Sequence, residues 1–75
     1  MALGEWKSLE ILICEYTEGK ERLTEAIAQT RARAAAEHNG RRRHDLYRQA
    51  IMLEAMRADM CYTIRQMQEA IERGK

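Results

Sequence analysis

At 75 residues the chain holds one domain, and a formal charge of +1 gives it no general preference for nucleic acid or membrane surfaces. It has no proline, no phenylalanine and four glycines, and it is rich in residues that favour helices, so we predict an all-α fold. No run approaches the roughly 20 apolar residues that cross a bilayer. The two cysteines lack a CxxC spacing. We therefore expect no membrane contact, reduced thiols and a cytoplasmic location.

The first predicted element is a helix over about residues 5–37. Its repeating positions alternate steps of three and four residues, which is the spacing of a coiled-coil seam. These positions are Trp6, Leu9, Ile13, Tyr16, Lys20, Leu23, Ile27, Thr30 and Ala34. Gly19 lies inside this helix, where glycine costs about 1 kcal/mol relative to alanine. Because the spacing continues through Gly19, we interpret it as a point of close packing and not as a break.

A turn at about residues 38–41 is predicted next, since Asn39 and Gly40 both accept the left-handed backbone that ends many helices. A second helix is expected over about residues 42–73. Its seam positions mirror the first series about Gly40, so that the residue numbers of each facing pair sum to 80. They are Leu46, Ala50, Leu53, Arg57, Met60, Ile64, Met67, Ile71 and Gly74. The pattern predicts an antiparallel two-helix hairpin with coiled-coil-like packing.

The two sides of the seam differ in polarity. One side is small and mostly apolar: it ends near the turn with Arg33 and Gln49, and its other residues, which we call the small flank, are Leu12, Gly19, Ala26, Met56, Thr63 and Ala70. The other side, the polar flank, consists of Glu10, Thr17, Thr24, Arg31, Tyr47, Glu54, Cys61 and Gln68. A two-helix coiled coil needs only its seam, whereas a helix bundle needs a wider apolar stripe. We therefore predict that hairpins pack through the small flank into a four-helix bundle, as a homodimer or a larger assembly.

Two charged residues, Lys20 and Arg57, occupy seam positions. Long side chains of this kind can cover apolar surface while their charges stay in water. Glu54, one helical turn before Arg57, is the expected carboxylate partner. Polar residues in a seam commonly specify register and oligomeric state, and we assign that role to both.

Charge is unevenly distributed about the turn. Residues 31–48, which we call the basic tip, carry a net charge of +4, and the rest of the chain carries −3. The arginines of the basic tip are Arg31, Arg33, Arg41, Arg42, Arg43 and Arg48. Three of them begin the second helix and oppose its dipole, so local helix stability does not explain them. Three explanations are open: they lie beside the acidic end of a second, antiparallel hairpin, they contact phosphate, or they form a solvated surface without a partner.

The sequence contains no recognisable catalytic or metal-binding pattern. Glu37, His38, His44 and Asp45 are close to the turn, but they lack the spacing that places two ligands on one helical face. The cysteines and histidines form no nucleophile motif, and a narrow helical hairpin offers no obvious cleft. We therefore expect no enzymatic activity, no cofactor and no bound metal.

These features favour a small helical hairpin that self-associates and binds another protein. The alternative is a nucleic-acid-binding hairpin dimer that uses the arginines of the basic tip. In topology the hairpin resembles the Rop-type hairpin dimers, and that resemblance implies RNA as a partner. Rop-type proteins bind RNA along a helical face, whereas the positive charge of this chain is concentrated at the turn.

Overall fold

The structure is a computed structural model that describes the backbone of residues 3–74 and the side chains of residues 8–74. It contains two α-helices, α1 over Leu3–Ala36 and α2 over Gly40–Gly74. They pack against each other as a hairpin that measures 56 × 14 × 11 Å. The predicted all-α, two-helix hairpin is therefore confirmed.

The turn is built differently from the left-handed reversal predicted. Among the described residues none has a positive φ, and this includes Gly40. Asn39 instead caps α2, because its Oδ1 accepts hydrogen bonds from the backbone N–H groups of Arg41 at 3.0 Å and Arg42 at 3.2 Å. With the cap at Asn39, Gly40 is already helical, and α2 begins two residues earlier than the expected start at residue 42.

The seam is the buried face of both helices. Its most buried members are Ile27, Ala34, Ala50 and Ile64. Every other seam position with a described side chain is at least half-buried, except Gly74 at the end of α2. Trp6, the first seam position, lies outside the described side chains. The alternation of three- and four-residue steps therefore identified the contact face correctly along both helices.

Two contacts between the helices, one at Arg57 and one at Gly19, agree with the predicted register. Arg57 Nη1 donates a hydrogen bond to Thr24 Oγ1 at 3.4 Å. A Cβ added at Gly19 would lie 3.2 Å from Cε of Met60. Both pairs of residue numbers fall within one of the expected sum of 80. The second contact also shows that the close packing expected at Gly19 involves Met60 of the seam.

The hairpin has a thin core and a large surface. Among the side chains of residues 8–74, four seam residues are buried, and Ile27 and Ile64 are the two large ones. The accessible surface of the chain is 6023 Å². The scaling for compact monomers gives about 4,800 Å² at a mass of 8.8 kDa. A single hairpin thus exposes roughly 1,200 Å² more than a compact protein of its size.

Candidate interaction surfaces

The small flank forms a floor of small side chains with a larger apolar side chain at each end. Gly19, Ala26, Thr63 and Ala70 are half-buried in the hairpin. Leu12 and Met56 are 40% and 51% exposed. Leu12 lies on α1 toward the open end of the hairpin, and Met56 lies on α2 toward the turn. The flank therefore presents two apolar side chains at diagonally opposite positions.

The polar flank is crossed by polar contacts that join the helices. The guanidinium group of Arg31 forms an ion pair with the carboxylate of Glu54. The contact from Arg57 to Thr24 Oγ1 lies on the same side. The prediction that Glu54 pairs with Arg57 is therefore wrong. Glu54 pairs with Arg31 of α1, and Arg57 donates a hydrogen bond to the hydroxyl group of Thr24.

The hydroxyl group of the small flank is used differently. Thr63 Oγ1 donates to the carbonyl oxygen of Asp59 at 3.0 Å, within its own helix. This bond satisfies the hydroxyl without a partner from α1. The small flank is consequently more apolar in character than its sequence suggests, while the polar flank is occupied by charged and hydroxyl groups.

A second exposed apolar surface runs along α2, away from the small flank. It consists of Ile51, Ala55, Ala58 and Tyr62, all exposed, and we call it the outer face. Steps of four, three and four residues place these side chains in one line along the helix. From the sequence, Ile51 and Tyr62 are interpreted as scattered apolar residues outside the seam that could enlarge a partner surface. The spacing that identifies the seam would also have placed them in one line with Ala55 and Ala58.

The basic tip exposes all six of its arginines, Arg31, Arg33, Arg41, Arg42, Arg43 and Arg48. Arg31 is engaged by Glu54, as described above. The N-terminus of α2 does not offer the backbone N–H groups of Arg41 and Arg42 to a phosphate, because both donate to the Asn39 side chain. Any phosphate at the tip would be held by guanidinium groups.

Carboxylates lie among these arginines. An open depression beside the turn is lined by Arg33, Ala36, Glu37, Arg42, Asp45 and Leu46. Glu37 Oε1 also accepts a hydrogen bond from the Asn39 backbone N–H at 3.1 Å. The tip therefore offers a surface of mixed charge around an apolar floor.

The chemistry available elsewhere is limited. Over the side chains that the structure describes, no three His, Cys, Asp or Glu residues come together as a metal site. Cys14 and Cys61 are exposed free thiols. Within the same part of the chain, neither helix has a stretch apolar enough to span a bilayer.

Comparisons of the chain with protein-family models, with curated proteins and with solved structures find no match in any of the three. The small flank, the outer face and the basic tip are therefore the features from which a function is inferred.

Proposed function

We propose that this protein is a non-enzymatic interaction module that associates with itself through the small flank and binds another protein. The observation that carries the proposal is the exposure of Leu12 and Met56 beside a floor of small, half-buried residues. An apolar stripe that widens to one side of a seam is typical of helices in a bundle. A second hairpin on this flank would remove both side chains from water.

The size of the exposed surface supports the same proposal. The hairpin exposes roughly 1,200 Å² beyond the expectation for a compact monomer. A standard protein interface buries about 800 Å² on each partner. Dimerisation through the small flank would thus bring the exposed area per chain close to that of a compact fold.

The outer face of α2 supports the second part of the proposal, the binding of another protein. Two hairpins joined through the small flank leave Ile51 and Tyr62 on the outside of the bundle. Contiguous exposed apolar side chains of this kind often mark protein-binding surfaces. We therefore place the partner's binding site on the outer face.

Nucleic-acid binding by the basic tip is the second candidate function, and the exposure of its arginines favours it. Guanidinium groups that neutralise phosphates give an affinity that falls steeply with salt. Glu37 and Asp45 lie among these arginines and lower the positive potential. For this reason we rank protein binding first.

Light scattering over a range of concentrations tests self-association. We expect about twice the chain mass of 8.8 kDa. Met56→Glu should produce a helical monomer, because a charge in an apolar interface is costly. Ile51→Glu is the matched control: it lies on the outer face and should remain dimeric. A wild-type monomer at high micromolar concentration, or equal effects of the two variants, would contradict the proposal.

A polarisation assay with a fluorescent RNA tests the second candidate. Binding at low salt that is lost at high salt, and also lost when Arg41, Arg42 and Arg43 are changed to alanine, would favour nucleic-acid binding. No binding at low salt would exclude it for that RNA class.

A further inference from the structure

We infer that two copies pair antiparallel about a two-fold axis level with Gly19 and Thr63, so that α1 contacts α1 and α2 contacts α2 of the second copy. This arrangement rests on the proposed self-association and adds the identity and register of the contacting helices. It follows from the spacing of the small flank, from a shared axis on both helices, from the positive charge of the basic tip and from a pair of opposite charges beside the flank.

The spacing on α1 makes its part of the flank complementary to itself. Leu12, Gly19 and Ala26 are seven residues apart. A two-fold axis at Gly19 therefore brings residue 12 of one copy level with residue 26 of the other. The exposed Leu12 of each copy then meets the half-buried Ala26 of the other. Gly19 meets its own copy at the centre, where no Cβ stands between the backbones and the nearest side-chain atoms are those at the flexible end of Met60.

The spacing on α2 repeats this relationship. Met56, Thr63 and Ala70 are also seven residues apart, and an axis at Thr63 places the exposed Met56 of one copy against Ala70 of the other. Gly19 and Thr63 lie within two residues of the same level, since their numbers sum to 82 and those of the facing seam pairs sum to 80. One axis therefore satisfies both helices at once, which is the requirement for a closed dimer.

Shape alone leaves one rival, a dimer in which the axis runs along the hairpins and both tips lie at the same end. That dimer would bring two basic tips of net charge +4 together. The antiparallel dimer places the two tips at opposite ends of the pair, where they do not repel each other, and this orients the pair. Repulsion between the tips therefore selects the antiparallel arrangement.

A pair of charges beside the small flank agrees with this choice. The two-fold axis at Gly19 brings Glu15 to within one residue of the level of Arg22 in the second copy. Within its own chain, Arg22 is highly exposed and contacts Glu18 only at 3.9 Å. Its guanidinium group therefore remains accessible to a carboxylate of a second copy.

Cysteine crosslinking tests this geometry, in a background where Cys14 and Cys61 are changed to serine. Thr63→Cys lies on the axis, and treatment with oxidised glutathione should give a covalent dimer. Met56→Cys is the control, because its two copies would be separated by 14 residues, roughly 21 Å along the axis. A disulfide requires Cα atoms within about 7 Å, so Met56→Cys should remain uncrosslinked.

A mixture of Met56→Cys with Ala70→Cys provides a second readout that does not involve Thr63. It should form mixed covalent dimers, since these residues meet across the interface. A dimeric mass without crosslinking of Thr63→Cys or of this mixture would overturn the geometry and leave self-association standing. A monomeric mass for the uncrosslinked protein would overturn both. Crosslinking of Met56→Cys to itself at a rate equal to that of Thr63→Cys would also overturn the geometry.

Discussion

The side chain of Met60 packs against Gly19, and its terminal methyl group lies within tight contact distance of the position that a Cβ at residue 19 would occupy. A Cβ added there would be 3.2 Å from Met60 Cε and 3.5 Å from its sulfur. The atoms in the way belong to the flexible end of a methionine, which adapts to changes in the space around it. Two effects therefore act at Gly19: glycine has a low helix propensity, and its missing side chain leaves room for Met60.

We predict that Gly19→Ala raises the free energy of unfolding by up to about 1 kcal/mol, because alanine is favoured over glycine inside a helix by that amount. The measurement is urea unfolding followed by circular dichroism, in the Met56→Glu background so that dissociation of a dimer does not contribute. Gly40→Ala is the control, since a Cβ there meets nothing within 4 Å. We expect a smaller change in the free energy of unfolding for Gly40→Ala, because Gly40 is the first residue of α2. A loss of stability with Gly19→Ala would show that Met60 cannot move aside.

The seam could be predicted from the sequence because its signal is repeated over the whole chain. Each pair of facing positions on the two helices gives independent support for one register, so a polar residue such as Lys20 does not disturb the pattern. Burial of Ile27 and Ile64, far apart in sequence, follows from that register. The four-residue step between positions such as Leu23 and Ile27 also identifies the helical period without any structural information.

The turn and the ion pairs could not be predicted in the same way. Asparagine serves both as a helix cap and as a left-handed turn residue, so the identity of Asn39 alone does not distinguish the two. Glu54 could pair with a residue of its own helix or of the opposite one, because long side chains reach beyond the residue that faces them. Only the positions of the atoms show that Arg31 is its partner.

Aspartate substitutions at two isoleucines of α1 test the assignment of the seam. Ile27 is 6% exposed and Ile11 is 58% exposed. Ile27→Asp should unfold the hairpin or cost at least about 2 kcal/mol, because it buries a carboxylate without a partner. Ile11→Asp should change stability by no more than about 0.5 kcal/mol. Thermal unfolding by circular dichroism measures both, and similar losses for the two variants would mean that the seam is misassigned.

Removal of the cap at the turn should destabilise α2. Asn39→Ala deletes the acceptor for the N–H groups of Arg41 and Arg42, and such losses typically cost about 0.5–2 kcal/mol. Asn39→Asp keeps an acceptor and adds a negative charge at the helix N-terminus, so it should be at least as stable as the wild type at low salt. Urea unfolding compares the three proteins. Equal stability of Asn39→Ala and the wild type would indicate that the cap contributes nothing in solution.

The ion pair between Arg31 and Glu54 should contribute a measurable coupling energy across the helices. A double-mutant cycle with Arg31→Ala and Glu54→Ala should give about 0.2–1 kcal/mol, within the range of exposed pairs, and this value should fall as salt screens the charges. The pair of Glu18 and Arg22 is the control, because its charges are 3.9 Å apart and both side chains are highly exposed. Its coupling should be smaller. The absence of any coupling between Arg31 and Glu54 would mean that this contact does not persist in solution, and the hydrogen bond from Arg57 to Thr24 would then be the polar contact left across that flank.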